Sequence, residues 1–270
     1  MIKQTKITPV MPLSTGEDRK NAPVAVFDSG VGGISVLRTL RAQLPHEAFL
    51  YFGDSANAPY GEKGSDSVRA LVIGHAARLL ARAKALVIAC NTATAVAVKE
   101  LRQRYAGVPI IGMEPALRPA LACGAHPRVL VLATPVTLGE GKFAALLRSC
   151  AGSGEILPVP APEIVRLVEQ GEENSPRMAT YLEKLLAPYC HVPPDAVVLG
   201  CTHFCFARES ISRAIGAHVP IFDGVDGTVH EVKRRLDAAG LLRDASKIGS
   251  VTLTSSDAHA VALYARLLGE

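Results

Sequence analysis

Short, uninterrupted apolar runs alternate with amphipathic stretches along almost the whole chain. Residues 24–28 (VAVFD), 48–54 (AFLYFGD), 85–91 (ALVIACN) and 108–116 (VPIIGMEPA) are runs of the first kind. Helical patterns over about 34–44, 67–83 and 92–105 separate them. A strand whose successive side chains are all apolar has both faces covered, the condition of a parallel sheet between helices. The order β-α-β-α-β-α-β then requires right-handed crossovers and a doubly wound sheet. Aliphatic residues supply the apolar mass: 49% of the chain is hydrophobic, only 5% is aromatic, and Trp is absent.

The pattern then restarts. A strand at 128–134 (RVLVLAT) and a helix at 139–150 lead to a strand-like segment at 155–162 and helices at 163–171 and 178–189. A strand at 196–201 (AVVLGC), a helix at 207–216 and a strand at 219–224 follow. The tail adds a helix over about 227–239, a strand at 250–256 and a helix at 257–268. The expectation is an α/β protein of two similar lobes with parallel sheets. Residues 1–22 form an extension, 23–114 with 226–270 form lobe one, and 115–225 form lobe two. The Pro- and Gly-bearing turns near 113–117 and 222–227 are the expected hinges.

Charge excludes little but directs the reading. The net charge is +4, and the densest basic cluster is Lys233-Arg234-Arg235. No aromatic residues interleave with it, so it reads as a solvated helix face and not as a nucleic-acid surface. No apolar stretch reaches the ~20 residues that span a bilayer. The N-terminal segment has neither a long apolar core nor a small-residue cleavage site. The expectation is a cytoplasmic protein without membrane or nucleic-acid partners, whose six cysteines at irregular spacing are thiols.

Two of those cysteines occupy equivalent places. LVIACNTA (86–93) and VVLGCTHF (197–204) each carry an apolar run, a small residue, a Cys and a nearby Thr. Open parallel sheets bind ligands at the carboxyl ends of their strands, where Cys90 and Cys201 fall. A helix follows each, and helix N-termini favour thiolates and attract carboxylates. A single such Cys reads more simply as a small buried hydrophobe; two in matched positions do not. A redox pair lacks a C-x-x-C arrangement. A zinc site on Cys201, His203 and Cys205 has poor spacing and no completing ligands. Paired acid and base on opposite faces of one stereocentre fits the symmetry best.

Other strand-end segments add polar groups. FDSGVGG (27–33) is a glycine-rich turn without G-x-G-x-x-G spacing, so it supports a dinucleotide site weakly. Asp28 ends its strand at the edge where Cys90 lies, and Ser29 is placed to bind a carboxylate. APYGEKG (58–64) offers Tyr60 and Gly61, and ATPVT (133–137) offers Thr134 and Thr137, with helix capping as the alternative for the threonines. Cys123, Cys150, Cys190 and Cys205 read as packing or incidental thiols. So do His46, His75, His126, His191, His218, His230 and His259 as ordinary histidines.

VFDSGVGG, GDSANAPYG, CNTATA, VLATPVT and LGCTHF, in this order over roughly residues 22–225, resemble the cofactor-independent aspartate/glutamate racemase superfamily, most closely its glutamate-acting branch. The resemblance implies two flavodoxin-like lobes, pseudo-symmetric, with the active site in the interlobe cleft. It implies interconversion of L- and D-glutamate by two thiols without a cofactor or metal, supplying D-glutamate for peptidoglycan. By the same resemblance Cys90 faces the α-proton of D-glutamate and Cys201 that of L-glutamate, with Asp28 and His203 assisting. Asp28, Ser29, Tyr60, Gly61, Asn91, Thr92, Thr134, Thr137, Thr202 and His203 hold the substrate, and Glu169 matches a family Glu near the cleft. A homodimer and a cell-wall-precursor effector belong to the same implication. The chain departs from the family's usual residues at CFARES (205–210) and DGVDGTV (223–229). Two rivals stand beside this reading: a racemase of the superfamily acting on aspartate or another amino acid, and a non-catalytic two-lobed carboxylate-binding protein.

Overall fold

The computed structural model describes residues 17–246 and 248–269. Most of the N-terminal extension, residues 1–16, lies outside the described residues. In chain order the first elements are α1 (Glu17–Asn21), β1 (Val24–Asp28), α2 (Ile34–Gln43), β2 (Ala48–Gly53), α3 (Ser65–Leu80), β3 (Ala85–Ile88), α4 (Asn91–Arg104), β4 (Ile110–Gly112) and α5 (Leu117–Leu121). Next come β5 (Arg128–Ala133), α6 (Pro135–Gly139), α7 (Gly141–Ser149), β6 (Glu155–Pro160), α8 (Pro162–Glu169), α9 (Pro176–Cys190) and β7 (Ala196–Leu199). The last are α10 (Arg208–Ile215), β8 (Ile221–Asp223), α11 (Val225–Ala238), β9 (Ser250–Ser255) and α12 (Ala260–Leu268). Single 3-10 turns lie at Ser55–Asn57, Tyr60–Glu62 and Thr202–Cys205.

These strands build two sheets, in the orders β4-β3-β1-β2-β9 and β6-β5-β7-β8. Every pairing is parallel. The common order is plain when β1, β2, β3 and β4 are matched with β6's sheet: β5 stands for β1, β6 for β2, β7 for β3 and β8 for β4. The expected two-lobed α/β class is what the chain adopts. β9 pairs with β2 from Ala48↔Ser250 to Gly53↔Ser255, so the tail completes the first sheet. β1, β3 and β7 are buried along their whole length, as strands covered by helices on both faces must be.

Local chemistry sets where elements break. β3 ends at Ile88, short of the expected 91, because Cys90 already caps α4. The expected helix at 139–150 is α7; a further short helix, α6, precedes it and is parted from it at Glu140, whose backbone is extended (φ −77°, ψ 144°). Proline opens α6, α8 and α9, where its missing N–H costs nothing.

One apolar cluster runs through both sheets, from Val24, Tyr51 and Val87 to Leu130, Val197 and Val229. At the edge of the first sheet away from the strand carboxyl ends, a buried ion pair ties distant segments. Lys84 Nζ lies 2.6 Å from Glu47 Oε2 and donates to the carbonyls of Lys20 and Leu241, each at 2.8 Å. The backbone N–H of Arg243 donates to Glu47 Oε1 at 2.7 Å. No helix among the described residues is long and apolar enough to cross a membrane.

Candidate active site

The site is built where β1, β3, β5 and β7 end. These are the switch points of the two sheets, where the chain leaves neighbouring strands in opposite directions. Asp28 closes β1, Cys90 caps α4 two residues beyond β3, and Cys201 lies two residues beyond β7. Cys90, Cys201, Asp28, Ser29, Asn91, Thr92, Thr134, Thr137, Thr202 and His203 are all buried.

Hydrogen bonds join the two sheets here. Thr202 Oγ1 donates to Asp28 Oδ2 at 3.0 Å, and Gly30 N–H donates to Asp28 Oδ1 at 3.0 Å. Thr92 Oγ1 lies 3.0 Å from both Thr134 Oγ1 and Thr137 Oγ1, which are 2.9 Å from each other. Thr134 also accepts from Thr137 N–H, so it caps α6 and meets the first sheet at once. The Asn91 amide is different: it is buried with neither its oxygen nor its nitrogen partnered. An orphaned buried amide calls for a ligand or water. A cavity of about 30 Å³, little more than a water's room, lies beside Asn91, Met113 and Thr137.

The glycine run at 30–33 permits close approach of the second sheet. A Cβ on Gly30 would lie 1.8 Å from Glu169 Oε1, and one on Gly32 would lie 2.4 Å from both His203 Nδ1 and Thr202 Oγ1. An anion does sit against this turn: Val31 N–H donates to Glu169 Oε1 at 2.8 Å. The family resemblance implied a place near the cleft for Glu169. It is largely buried, at 17% side-chain exposure, and touches Val31, Ser55 Oγ (3.2 Å) and His203. A cavity of about 820 Å³ between Ser55, α8 and α12 reaches it from outside.

The two sulfurs sit in unlike electrostatic surroundings. Cys90 Sγ accepts from Ala93 N–H at 3.4 Å and lies 3.6 Å from Ser29 Oγ. The helix N-terminus alone favours a thiolate. Burial outweighs it: desolvation, and then the charge of Asp28, push the Cys90 thiol up to about 12. At neutral pH this sulfur keeps its proton. Cys201 Sγ lies 3.7 Å from His203 Nδ1, and His203 Nε2 lies 2.6 Å from Glu169 Oε1. Burial works against a charged His203, but the bonds to Cys201 and Glu169 hold its pKa well above the ordinary 6.5. Burial likewise opposes the Glu169 charge, and His203, Val31 and Ser55 together keep it below 4.5. Asp28 is raised by burial, against the pull of His203, Gly30 and Thr202.

One expected contact is otherwise engaged. The Tyr60 hydroxyl donates to Asp54 Oδ2 at 2.5 Å, a carboxylate apart from the cysteines' polar cluster. Its neighbour Gly61 does reach that cluster, since a Cβ there would lie 2.4 Å from Thr134 Cβ. Asp54, Ser55 and His75 were not singled out from sequence. The signal for Asp54 was its place at the end of β2, beside Asp28 at the end of β1. His203 faces Glu169 and not Cys205, and among the described residues no group of three or more His, Cys, Asp or Glu is arranged to hold a metal.

The sequence profile of the family described as Asp/Glu/hydantoin racemase matches residues 34–232. The chain is 44% identical over 238 residues to a glutamate racemase of Clostridium acetobutylicum, covering 88% of this chain and 93% of that one. Its fold superposes on a glutamate racemase of Bacillus anthracis with a TM-score of 0.83 at 27% identity, covering 93% and 95% of the two chains. An Escherichia coli glutamate racemase, solved with L-glutamate and the activator UDP-MurNAc-ala, matches with a TM-score of 0.76 at 28% identity over 91% and 95%.

Proposed function

This chain belongs to the Asp/Glu/hydantoin racemase family, and we propose that within it the reaction is the interconversion of L- and D-glutamate by two cysteines. The observation that carries this reading is the matched placement of Cys90 and Cys201 beyond equivalent strands of two sheets, joined by the Asp28–Thr202 bond. Identity of 44% with a glutamate racemase supports glutamate as the substrate.

The chemistry follows from the polarity around each sulfur. An amino-acid α-proton is far less acidic than a thiol, so the site must spread the carbanion's charge into the substrate carboxylate. Asn91 supplies unpartnered amide donors for it, and the Thr92, Thr134 and Thr137 hydroxyls supply more. For L-glutamate, Cys201 takes the α-proton; the His203 imidazolium is the charge partner that a sulfur needs in that role. Cys90, kept protonated by burial and Asp28, delivers its proton to the opposite face. The C–H bond on one face breaks, one forms on the other, and the thiolate has passed from Cys201 to Cys90. D-glutamate runs the same steps in reverse. Closure excludes water that would otherwise screen these groups.

In this reading lobe one is 23–114 with 226–270 and lobe two is 115–225, turning about the 113–117 and 222–227 segments. The D-glutamate formed serves peptidoglycan synthesis in the cytoplasm. The protein works as a homodimer, and a cell-wall precursor is its effector. The test is chiral analysis of L-glutamate, and separately L-aspartate, after incubation with pure protein. D-glutamate must appear without an added cofactor; D-aspartate alone would move the protein to the sister activity.

A further inference from the structure

His75 stands outside the cysteine site, yet it holds the loop that touches it. Asp54 follows β2 and is wholly buried. Burial opposes its charge, but bonds from His75, Tyr60, Ser256 and Asn57 keep its carboxyl well below the usual carboxylate range. An ionised carboxylate only accepts. His75 Nε2–H therefore donates to Oδ2 at 3.0 Å, as the Tyr60 hydroxyl does at 2.5 Å. Asn57 Nδ2 donates to both oxygens, at 3.0 and 3.1 Å. The His75 ring packs against both Phe52 (centroids 4.8 Å apart) and Phe27 (5.8 Å), which also meet each other at 6.2 Å, and Phe27 meets the Tyr60 ring at 6.4 Å. Phe27 immediately precedes Asp28, and Asp54 N–H donates to the Asp28 carbonyl at 3.0 Å. The chain from His75 thus ends at both Asp28 and the Tyr60–Gly61 turn that packs on Thr134.

We infer that His75 is a positioning residue for the reaction: acting through Asp54, it fixes the 55–62 turn so that Gly61 seats against Thr134 and the substrate's carboxylate pocket is formed before substrate arrives. The Tyr60 hydroxyl serves the same clamp and not the substrate directly. The inference rests on the proposed racemisation for its kinetic arm only. His75 borders a solvent cavity of about 540 Å³. A replacement side chain therefore has room, and His75→Phe keeps the stacking while removing the bond to Asp54.

The experiment pairs amide hydrogen exchange with kinetics on His75→Phe, His75→Gln and Tyr60→Phe. Losing a bond to a charged group predicts exchange about tenfold faster across 55–63 in His75→Phe, with 128–133 unchanged. It predicts a KM for glutamate about tenfold higher with kcat changed far less, because pre-formation of the pocket and not the proton transfer is lost. His75→Gln, which can still donate to Asp54, should restore both. Tyr60→Phe should give the same pattern, and the double variant should fall short of the sum. Unchanged exchange at 55–63 in both Phe variants overturns the clamp, whatever the activity. A lower melting temperature with KM and exchange unmoved also overturns it and leaves His75 a packing residue. Absence of glutamate turnover in the wild type would instead sink the proposed function, while the exchange arm still decides the clamp.

Discussion

Replacing Glu169 with Gln removes one charge from the Cys201 side and almost nothing else. Glu169 accepts from His203 (2.6 Å), Val31 N–H (2.8 Å) and Ser55 (3.2 Å). His203 and Val31 both bond Oε1 and Ser55 bonds Oε2, so a glutamine oxygen in the Oε1 place keeps the first two bonds while its NH2 group faces the Ser55 hydroxyl, which can accept. The loss is therefore the difference between a charge-assisted and a neutral hydrogen bond, about 1–1.5 kcal/mol. If His203 acts as the charge partner of Cys201, kcat/KM falls about 5- to 13-fold. The two enantiomers have equal free energy in achiral solution, so the fall must be the same in both directions, although only one cysteine has been disturbed. The His203 ring, followed by NMR, should titrate lower in the variant than in the wild type.

Stability gives a second reading of the same pair. The raised His203 pKa contributes stability that is full below the unfolded value of 6.5 and is lost as pH rises through the folded value. The lowered Glu169 pKa contributes stability that is full above 4.5 and is lost as pH falls through its folded value. Both contributions are whole between 4.5 and 6.5, so the stability deficit of Glu169→Gln should be largest in that window. A variant with wild-type kcat/KM and an unshifted His203 titration would refute the reasoning.

Three further outcomes are expected. Asn91→Ala removes a buried amide with no partner, so it should cost activity while the melting temperature of the ligand-free protein holds or rises, since an orphaned polar group costs about 1–3 kcal/mol. Gly61→Ala places a methyl group 2.4 Å from Thr134 Cβ and should raise KM by displacing the turn, which steady-state kinetics will read. Lys84→Met leaves Glu47 buried without its cation and should destabilise by about 3–5 kcal/mol in denaturant titration, with KM unaffected because the pair is remote from the cysteines.

What could be seen in the sequence was what has a local signature. The apolar runs at 24–28, 85–91 and 196–201 pointed to the parallel strands β1, β3 and β7, and the small-residue ends of the last two drew attention to Cys90 and Cys201. The tail's strand at 250–256 was legible as a strand of lobe one, but its pairing with β2 was not. What was not legible depends on partners far apart in the chain. Glu169 looks like any last residue of an amphipathic helix until α8 brings it to Val31, 138 positions away. His75 looked incidental because its carboxylate partner is on another element. Tyr60 was singled out from its loop after β2, but only the structure shows that Asp54 takes its hydroxyl. The protonation of Cys90 likewise depends on burial, which overrides the helix N-terminus that the sequence displays.

The central claim is that two sulfurs act on opposite faces of one carbon. Its most direct test is to follow the α-proton of L-glutamate and of D-glutamate separately in D₂O with the wild type, Cys90→Ser and Cys201→Ser. A serine hydroxyl is a far weaker acid than a thiol, so neither variant should racemise either enantiomer. Any exchange that survives should be on the face of the remaining cysteine: D-glutamate in Cys201→Ser and L-glutamate in Cys90→Ser. Full racemisation by either single variant would contradict the account.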